Sequence, residues 1–149
     1  VLTPEQRSRN MSRIRGKDTR IEIQVRKGLH ARGLRYRLHQ SSLDGRPDIV
    51  LPRHGAIVFV NGCFWHGHSD CPLANVPKTN RDWWQIKLNR TRQRDQQNRA
   101  SLQSAGWRVL TVWECSIRGR KELQVEKLFD RIDSWIRGSS PSAEFARRP

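Results

Sequence analysis

Three cysteines and a histidine constrain this chain more than any other feature. Cys63, His68 and Cys71 stand in the spacing Cys-x4-His-x2-Cys, and Cys115 lies far downstream. Thiolates and an imidazole are the donor set of a tetrahedral zinc ion. Four protein ligands fill its shell and leave no open position for substrate. The pattern predicts one structural zinc site that joins a tight turn to a distant strand. His66 is the alternative imidazole, but His68 lies closer to Cys71, and its use leaves His66 free. The plainer reading is a set of buried thiols with unrelated histidines. Three cysteines form no closed disulfide set, and a complete quartet suits a reducing cytoplasm.

Charge indicates the partner. The chain has 149 residues, a formal net charge of +15 and a pI near 11.4, so a polyanion is expected. Of its 29 Lys and Arg residues, 23 are arginine, whose fork suits phosphate oxygens and guanine edges. A ribosomal or membrane-surface protein could carry the same charge. However, no basic amphipathic stretch shows a lipid-facing side, and none approaches the ~20 apolar residues of a membrane span. No signal peptide is visible in the sequence, which begins at Val. The reading is one nucleic-acid-binding domain in the cytoplasm, with no membrane partner. Phe64 and Trp65, bare aromatics between the zinc ligands, then suit a loop that touches DNA.

Residues 1–18 carry Arg7, Arg9, Arg13, Arg15 and Lys17 with little apolar periodicity and read as a basic arm. Asp18 or Thr19 can cap a helix, with Glu22 as a capping-box acid and Ile21, Val25 and Leu29 on one face. Residues 34–38 alternate like a strand. Residues 48–52 and 56–60 are apolar strands joined as a hairpin, and the cysteine loop follows the second. A charged helix spans about 81–104, with Trp84, Leu88, Thr91, Asp95 and Leu102 suggesting its buried side. Residues 107–113 form a strand that delivers Cys115, and 122–136 form an amphipathic helix. The domain is thus 19–137, and the Ser/Pro/Arg-rich stretch 138–149 reads as a disordered tail. The fold class is α/β, a small mixed sheet flanked by helices.

Asp48 opens a strand after Gly45-Arg46-Pro47. A carboxylate there, on a basic surface, is a hard-cation ligand of the kind Mg2+ accepts beside substrate phosphate. An isolated aspartate in a turn more often caps its own backbone. Nuclease folds of the Pro-Asp…(Asp/Glu)-x-Lys type place a second acid and a lysine on the neighbouring strand. Here Val58-Phe59-Val60 supplies neither. His66 is the substitute, since an imidazole can take a proton from water near neutral pH. Its plainer role is as a surface histidine or a neighbour of the zinc. Glu22 is favourable in a first helical turn in any case, and Asp95 has arginines close by to pair with.

Gly45-Arg46-Pro47-Asp48, Asn61 through His68 and Val112-Trp113-Glu114-Cys115 together resemble the Vsr endonucleases of very short patch repair. Arg9-Asn10-Met11 and Asp18-Thr19-x-x-Glu22 match as well, so the similarity runs over about residues 5–137. The resemblance implies a restriction-endonuclease-like core and a bacterial DNA nickase. Its substrate would be duplex DNA with a T:G mismatch from 5-methylcytosine deamination, cut 5′ to the mispaired T. It implies Mg2+ on Asp48 with the backbone oxygen of Val60 nearby, and His66 as general base. Glu22 and Asp95 would organise the metal waters and His66. It also implies structural zinc on Cys63, His68, Cys71 and Cys115. Phe64, Trp65 and Trp84 would form a wedge between base pairs, with Met11 entering from the other groove. Asn61 stands where the best-known member of that family has a histidine, a departure that bears on any role there in protonating the leaving group or binding phosphate. The Ser69-Asp70 segment is one residue longer than in that member.

An inserted aromatic unstacks a base step, which costs least at a mismatch. Trp107, Trp113 and Trp135 read as core, and of Trp83 and Trp84 one reads as core and the other as exposed. Arg7, Arg9, Arg13, Arg15, Arg46, Arg90, Arg92 and Arg94 read as phosphate contacts. A lone mismatch lacks two-fold symmetry, so a monomer is expected, followed by mismatch-repair proteins at the nick. Two other functions fit part of the pattern. One is a restriction-type nuclease without mismatch dependence, and the other is a zinc DNA-binding module without catalysis.

Overall fold

The computed structural model describes Thr3 and residues 19–147. Arg7, Arg9, Met11, Arg13 and Arg15 lie outside the described residues.

Helix α1, Arg20–Ala31, begins at Thr19, whose hydroxyl accepts from the Glu22 amide at 3.2 Å. That satisfies one of the amides a helix start leaves without partners. Glu22 is not the capping acid expected of it. Only 1% of it is exposed, and its carboxylate reaches His39 instead. Val25 and Leu29 are fully buried. Strand β1 is only Arg37–Leu38, shorter than its alternation suggests; β2 is Ile49–Leu51 and β3 is Ala56–Asn61. These three pair antiparallel in sequence order.

Helix α2, Arg81–Ser104, leads to β4, Arg108–Trp113, which pairs parallel with β3. Helix α3, Glu122–Arg137, leads to β5, Ser142–Phe145, parallel to β4. The last strand corrects the reading of 138–149 as a disordered tail. Its composition is polar, but the open edge of β4 offers unpaired backbone groups. Ala143 and Phe145 pack on the core, with the Arg131 guanidinium 4.5 Å from the Phe145 ring.

The sheet is covered on both faces. Alternate residues Ala56, Val58 and Val60 of β3 and Leu110 and Val112 of β4 pack with α1 and α3. Ile57, Phe59 and Val109 pack on the other face with Leu102 of α2 and with Trp107. The Arg108 guanidinium accounts for the end of α3. It donates to the carbonyls of Trp135 and Ile136 and lies 4.7 Å from the Trp135 ring. Helix α2 is mostly polar, and among the described residues only Leu88 and Leu102 of it are buried. Trp84, Thr91 and Asp95 are half-buried, so they do not form the fully buried stripe expected of them.

Gly28 lets α1 approach α3. A methyl group at that position would overlap the Phe129 ring, which is itself 4% exposed and has little room to move. We expect Gly28→Ala to destabilise the fold by about 2 kcal/mol, as overpacking of a filled core does. Urea denaturation of the variant against the parent checks this.

Candidate active site

The register of β3 against β4 sets Asn61 opposite Trp113. Two residues beyond each strand end, Cys63 and Cys115 therefore meet. The Cys115 amide donates to Cys63 Sγ at 3.3 Å, and Cys115 Sγ lies 3.7 Å from His68 Nδ1. With Cys71, the four donor atoms all lie within 4.8 Å of one another. The loop turns back on itself through His68 N–H to the Cys63 carbonyl at 2.9 Å. Asp70 adopts a left-handed φ of 53° and is exposed, so the extra residue of this turn projects into solvent. The His68 ring stacks on Trp113 at 3.9 Å, and the Arg147 amide donates to Cys115 Sγ at 3.4 Å.

This donor set fits a closed zinc site. Burial pushes the Cys63 thiol up and the His68 imidazole down. A neutral imidazole is the ligand form, and a bound cation is what turns such a buried thiol into a thiolate. His66 is not in the quartet, because its ring is engaged elsewhere.

A second cluster lies where β2 stops pairing with β3. Asp48 Oδ2 accepts the Val60 amide at 2.7 Å, just after Pro47, which has no amide of its own. Glu22 comes from α1 and His39 from the turn after β1. Their ligand atoms and that of Asp48 lie within 4.8 Å of one another. His39 Nε2 lies 2.8 Å from Glu22 Oε2, and Arg26 donates to the same oxygen. Burial raises the Asp48 carboxyl to about 8, and the nearby Glu22 adds to the effect; the Val60 amide opposes it. A buried and a half-buried carboxylate this close fit a cation, which would relieve both the desolvation and the repulsion.

His66 lies on the other side of β3, facing α2. Its Nδ1 is 2.7 Å from Asp95 Oδ2. A carboxylate acceptor favours the Nδ1–H tautomer and leaves Nε2 as the basic nitrogen. Asn61 is 4% exposed and shares a small cavity with Asp95, Asn98 and Arg99.

Beside this pair the aromatics form one patch. Phe64 contacts Trp65 and Trp84 edge-on at 5.1 and 5.2 Å, and Trp83 contacts Trp84 at 4.9 Å. Lys87 Nζ lies 5.2–5.8 Å from the three tryptophan rings. Trp83 is 56% exposed and Ile86 is 54% exposed, so the patch opens to solvent. Trp83 is the exposed member of the Trp83–Trp84 pair, but Trp84 is half-buried, so neither is the core residue expected of one of them.

A family model for DNA mismatch endonuclease Vsr matches residues 1–72. DNA mismatch endonuclease Vsr of Escherichia coli strain K12 is 43% identical over 138 residues, which cover 93% of this chain and 88% of that protein. The chain belongs to the Vsr family. Type II nicking enzyme V.XorIIP of Xanthomonas oryzae pv. oryzae is 44% identical over 131 residues, 87% of this chain and 96% of its own length. V.NmeAIP of Neisseria meningitidis, also a type II nicking enzyme, is 40% identical over 120 residues, 80% of this chain and 85% of its own. This Vsr-family chain is an endonuclease with a restriction-endonuclease-like α/β core.

Four residues escaped the sequence reading of this Vsr-family site, or were given another part. His39 lacks any local motif. Arg26 meets Glu22 one turn along α1. Glu114 Oε1 accepts the Cys63 amide at 3.1 Å. Arg92, read as a phosphate contact, donates to the Gly67 carbonyl at 2.6 Å and so ties the loop to α2. The i,i+4 spacing of Glu22 and Arg26 was the one available signal. Arg46, Arg90 and Arg94 are exposed.

Asp48 binds its proton more tightly folded than unfolded. Between about pH 4, where an unfolded aspartate titrates, and about pH 8, the metal-free fold must therefore lose stability as pH rises. Asn at this position keeps an acceptor for Val60 and removes the charge. We expect Asp48→Asn to stabilise the metal-free protein by roughly 2 kcal/mol at pH 8 and hardly at all at pH 4. Urea denaturation across that pH range measures it.

Proposed function

We propose that this Vsr-family endonuclease nicks one strand of duplex DNA 5′ to the mispaired T of a T:G mismatch, as left by 5-methylcytosine deamination. The observation that carries the reading is a single loop, residues 61–71, that bears both an aromatic patch and a carboxylate-held imidazole. It follows directly from the strand whose amide holds Asp48. A wedge and a base on one rigid loop couple the sensing of a weak base step to cleavage beside it.

When bound at Asp48, near the Val60 carbonyl, Mg2+ supplies Lewis-acid polarisation of the phosphate and charge stabilisation for the leaving oxygen. His66 accepts a proton from the attacking water through Nε2. Asp95 fixes the ring and stabilises the imidazolium that forms. The Asn61 amide can donate a hydrogen bond to a phosphate oxygen but has no titratable proton for a leaving group. Glu22 sets the charge around Asp48. Phe64, Trp65 and Trp84 enter the duplex, with Met11 of the N-terminal arm opposite them. Arg7, Arg9, Arg13, Arg15, Arg46, Arg90 and Arg94 contact phosphates and make binding steeply salt-dependent. Cys63, His68, Cys71 and Cys115 hold structural zinc, which keeps the loop rigid.

Relatives named as a mismatch endonuclease and as nicking enzymes support this reading. No described helix is long and apolar enough to cross a membrane. On this reading the enzyme acts as a monomer at the bacterial nucleoid and passes its nick to mismatch-repair proteins.

Labelled duplexes that differ only in T:G or C:G at one site, across several flanking sequences, test the substrate. We expect one Mg2+-dependent cut 5′ to the mispaired T. Equal cleavage of both duplexes would point to a restriction-type nuclease instead. His66→Ala should bind the T:G duplex with near-parental affinity yet nick it about 10²- to 10⁴-fold more slowly, the usual range for a lost general base. Purified protein should carry one zinc per chain, and Cys115→Ser should lose it, as read by metal analysis.

A further inference from the structure

We propose that His39 is a protein ligand of the active-site cation, beside Asp48 and next to Glu22, and that it biases the site toward Mn2+ over Mg2+. The inference rests on the reading above, which puts a divalent cation at Asp48.

Two observations carry it. First, His39 converges on the carboxylates from a separate element. Its Nε2 lies 2.8 Å from Glu22 Oε2, and all three ligand atoms fall within 4.8 Å. Neighbouring ligands about a small octahedral cation with ~2.1 Å bonds are roughly 3 Å apart, and the His39–Glu22 pair already stands at about that spacing. Second, the His39 backbone is left-handed, with φ 46°, and its amide donates to the Asp48 carbonyl at 3.2 Å. The histidine ring and the aspartate are thereby tied through one backbone hydrogen bond. Outliers of this kind concentrate at functional sites, where surrounding contacts hold them.

An imidazole nitrogen changes which cation fits. Mg2+ prefers oxygen donors and near-ideal octahedral geometry, and it gives up water reluctantly. First-row transition ions accept mixed nitrogen and oxygen sets more readily. A Glu–His–Asp pocket therefore discriminates in a way that a pair of carboxylates does not. The rival role for His39 is a hydrogen bond that merely orients Glu22, which would affect both metals alike.

The test uses zinc-loaded full-length protein, so that the cysteine quartet is filled. Mn2+ binding is followed by the electron paramagnetic resonance signal of free Mn2+, and Mg2+ binding by calorimetry. His39→Asn tolerates the left-handed backbone, and His39→Gln provides a second variant; circular dichroism checks that each is folded. We expect both variants to lose about tenfold or more in Mn2+ affinity, the scale of a lost metal-site partner, with Mg2+ affinity changed less than about threefold. The Mn2+-to-Mg2+ ratio of nicking rates should fall in parallel. Unchanged affinities, or equal losses for both metals, would overturn the ligand role. Asp48→Asn separates this from the parent reading. If that variant keeps parental Mn2+ affinity, the cation is not at Asp48 and the parent reading fails. If it loses Mn2+ while His39→Asn does not, only the His39 inference fails.

Discussion

The parallel pairing of β3 with β4 is the constraint on which the working end of this molecule depends. Setting Asn61 opposite Trp113 brings Cys63 and Cys115 together although they are 52 residues apart in sequence. That meeting point closes the loop between Asn61 and Cys71, and the loop carries Phe64, Trp65 and His66. A one-residue slip of this register would turn every side chain of β3 to the wrong face and separate the two sulfurs. The same pairing positions Trp113 under the His68 ring, while β5 brings the Arg147 amide to Cys115 Sγ.

The cost of function is concentrated at the other side of the same strand. Glu22 is buried and Asp48 is half-buried beside it, so the charge on the pair is poorly hydrated. Arg26 and the Val60 amide offset part of it, and burial still drives the Asp48 carboxyl up to about 8. A hydrophobic pair would serve the fold better at that position. The cluster makes sense as a site tuned for a bound cation, in which the metal supplies what the protein withholds.

Much of the site was legible in the chain because its key groups are close in sequence or chemically unmistakable. The Cys-x4-His-x2-Cys spacing marked the loop, and the apolar run ending at Trp113 pointed to Cys115 as the fourth donor. Thr19 as a cap and the hairpin over 48–60 followed from side-chain chemistry and turn residues. Other parts were hidden. His39 carries no motif, and only the β1–β2 turn brings it to Glu22. Strand β5 was hidden because a short polar edge strand has almost no periodicity, and its partner is β4 rather than any neighbour in sequence. Glu22 looked like a helix cap because acids there are common; its burial depends on the sheet that α1 packs against.

Which residue types the chemistry uses was decided by the sequence alone: thiolates and imidazoles for the quartet, a carboxylate at a strand start, and bare aromatics beside an extra histidine. These follow from donor identity and from short-range spacing, which the covalent chain sets directly. Which partner each histidine meets was decided only by tertiary structure. His68 meets the sulfurs through the β3–β4 register, His66 meets Asp95 across to α2, and His39 meets Glu22 across to α1. The three imidazoles are alike in isolation. Their roles differ because packed elements, far apart along the chain, present each one with a different partner.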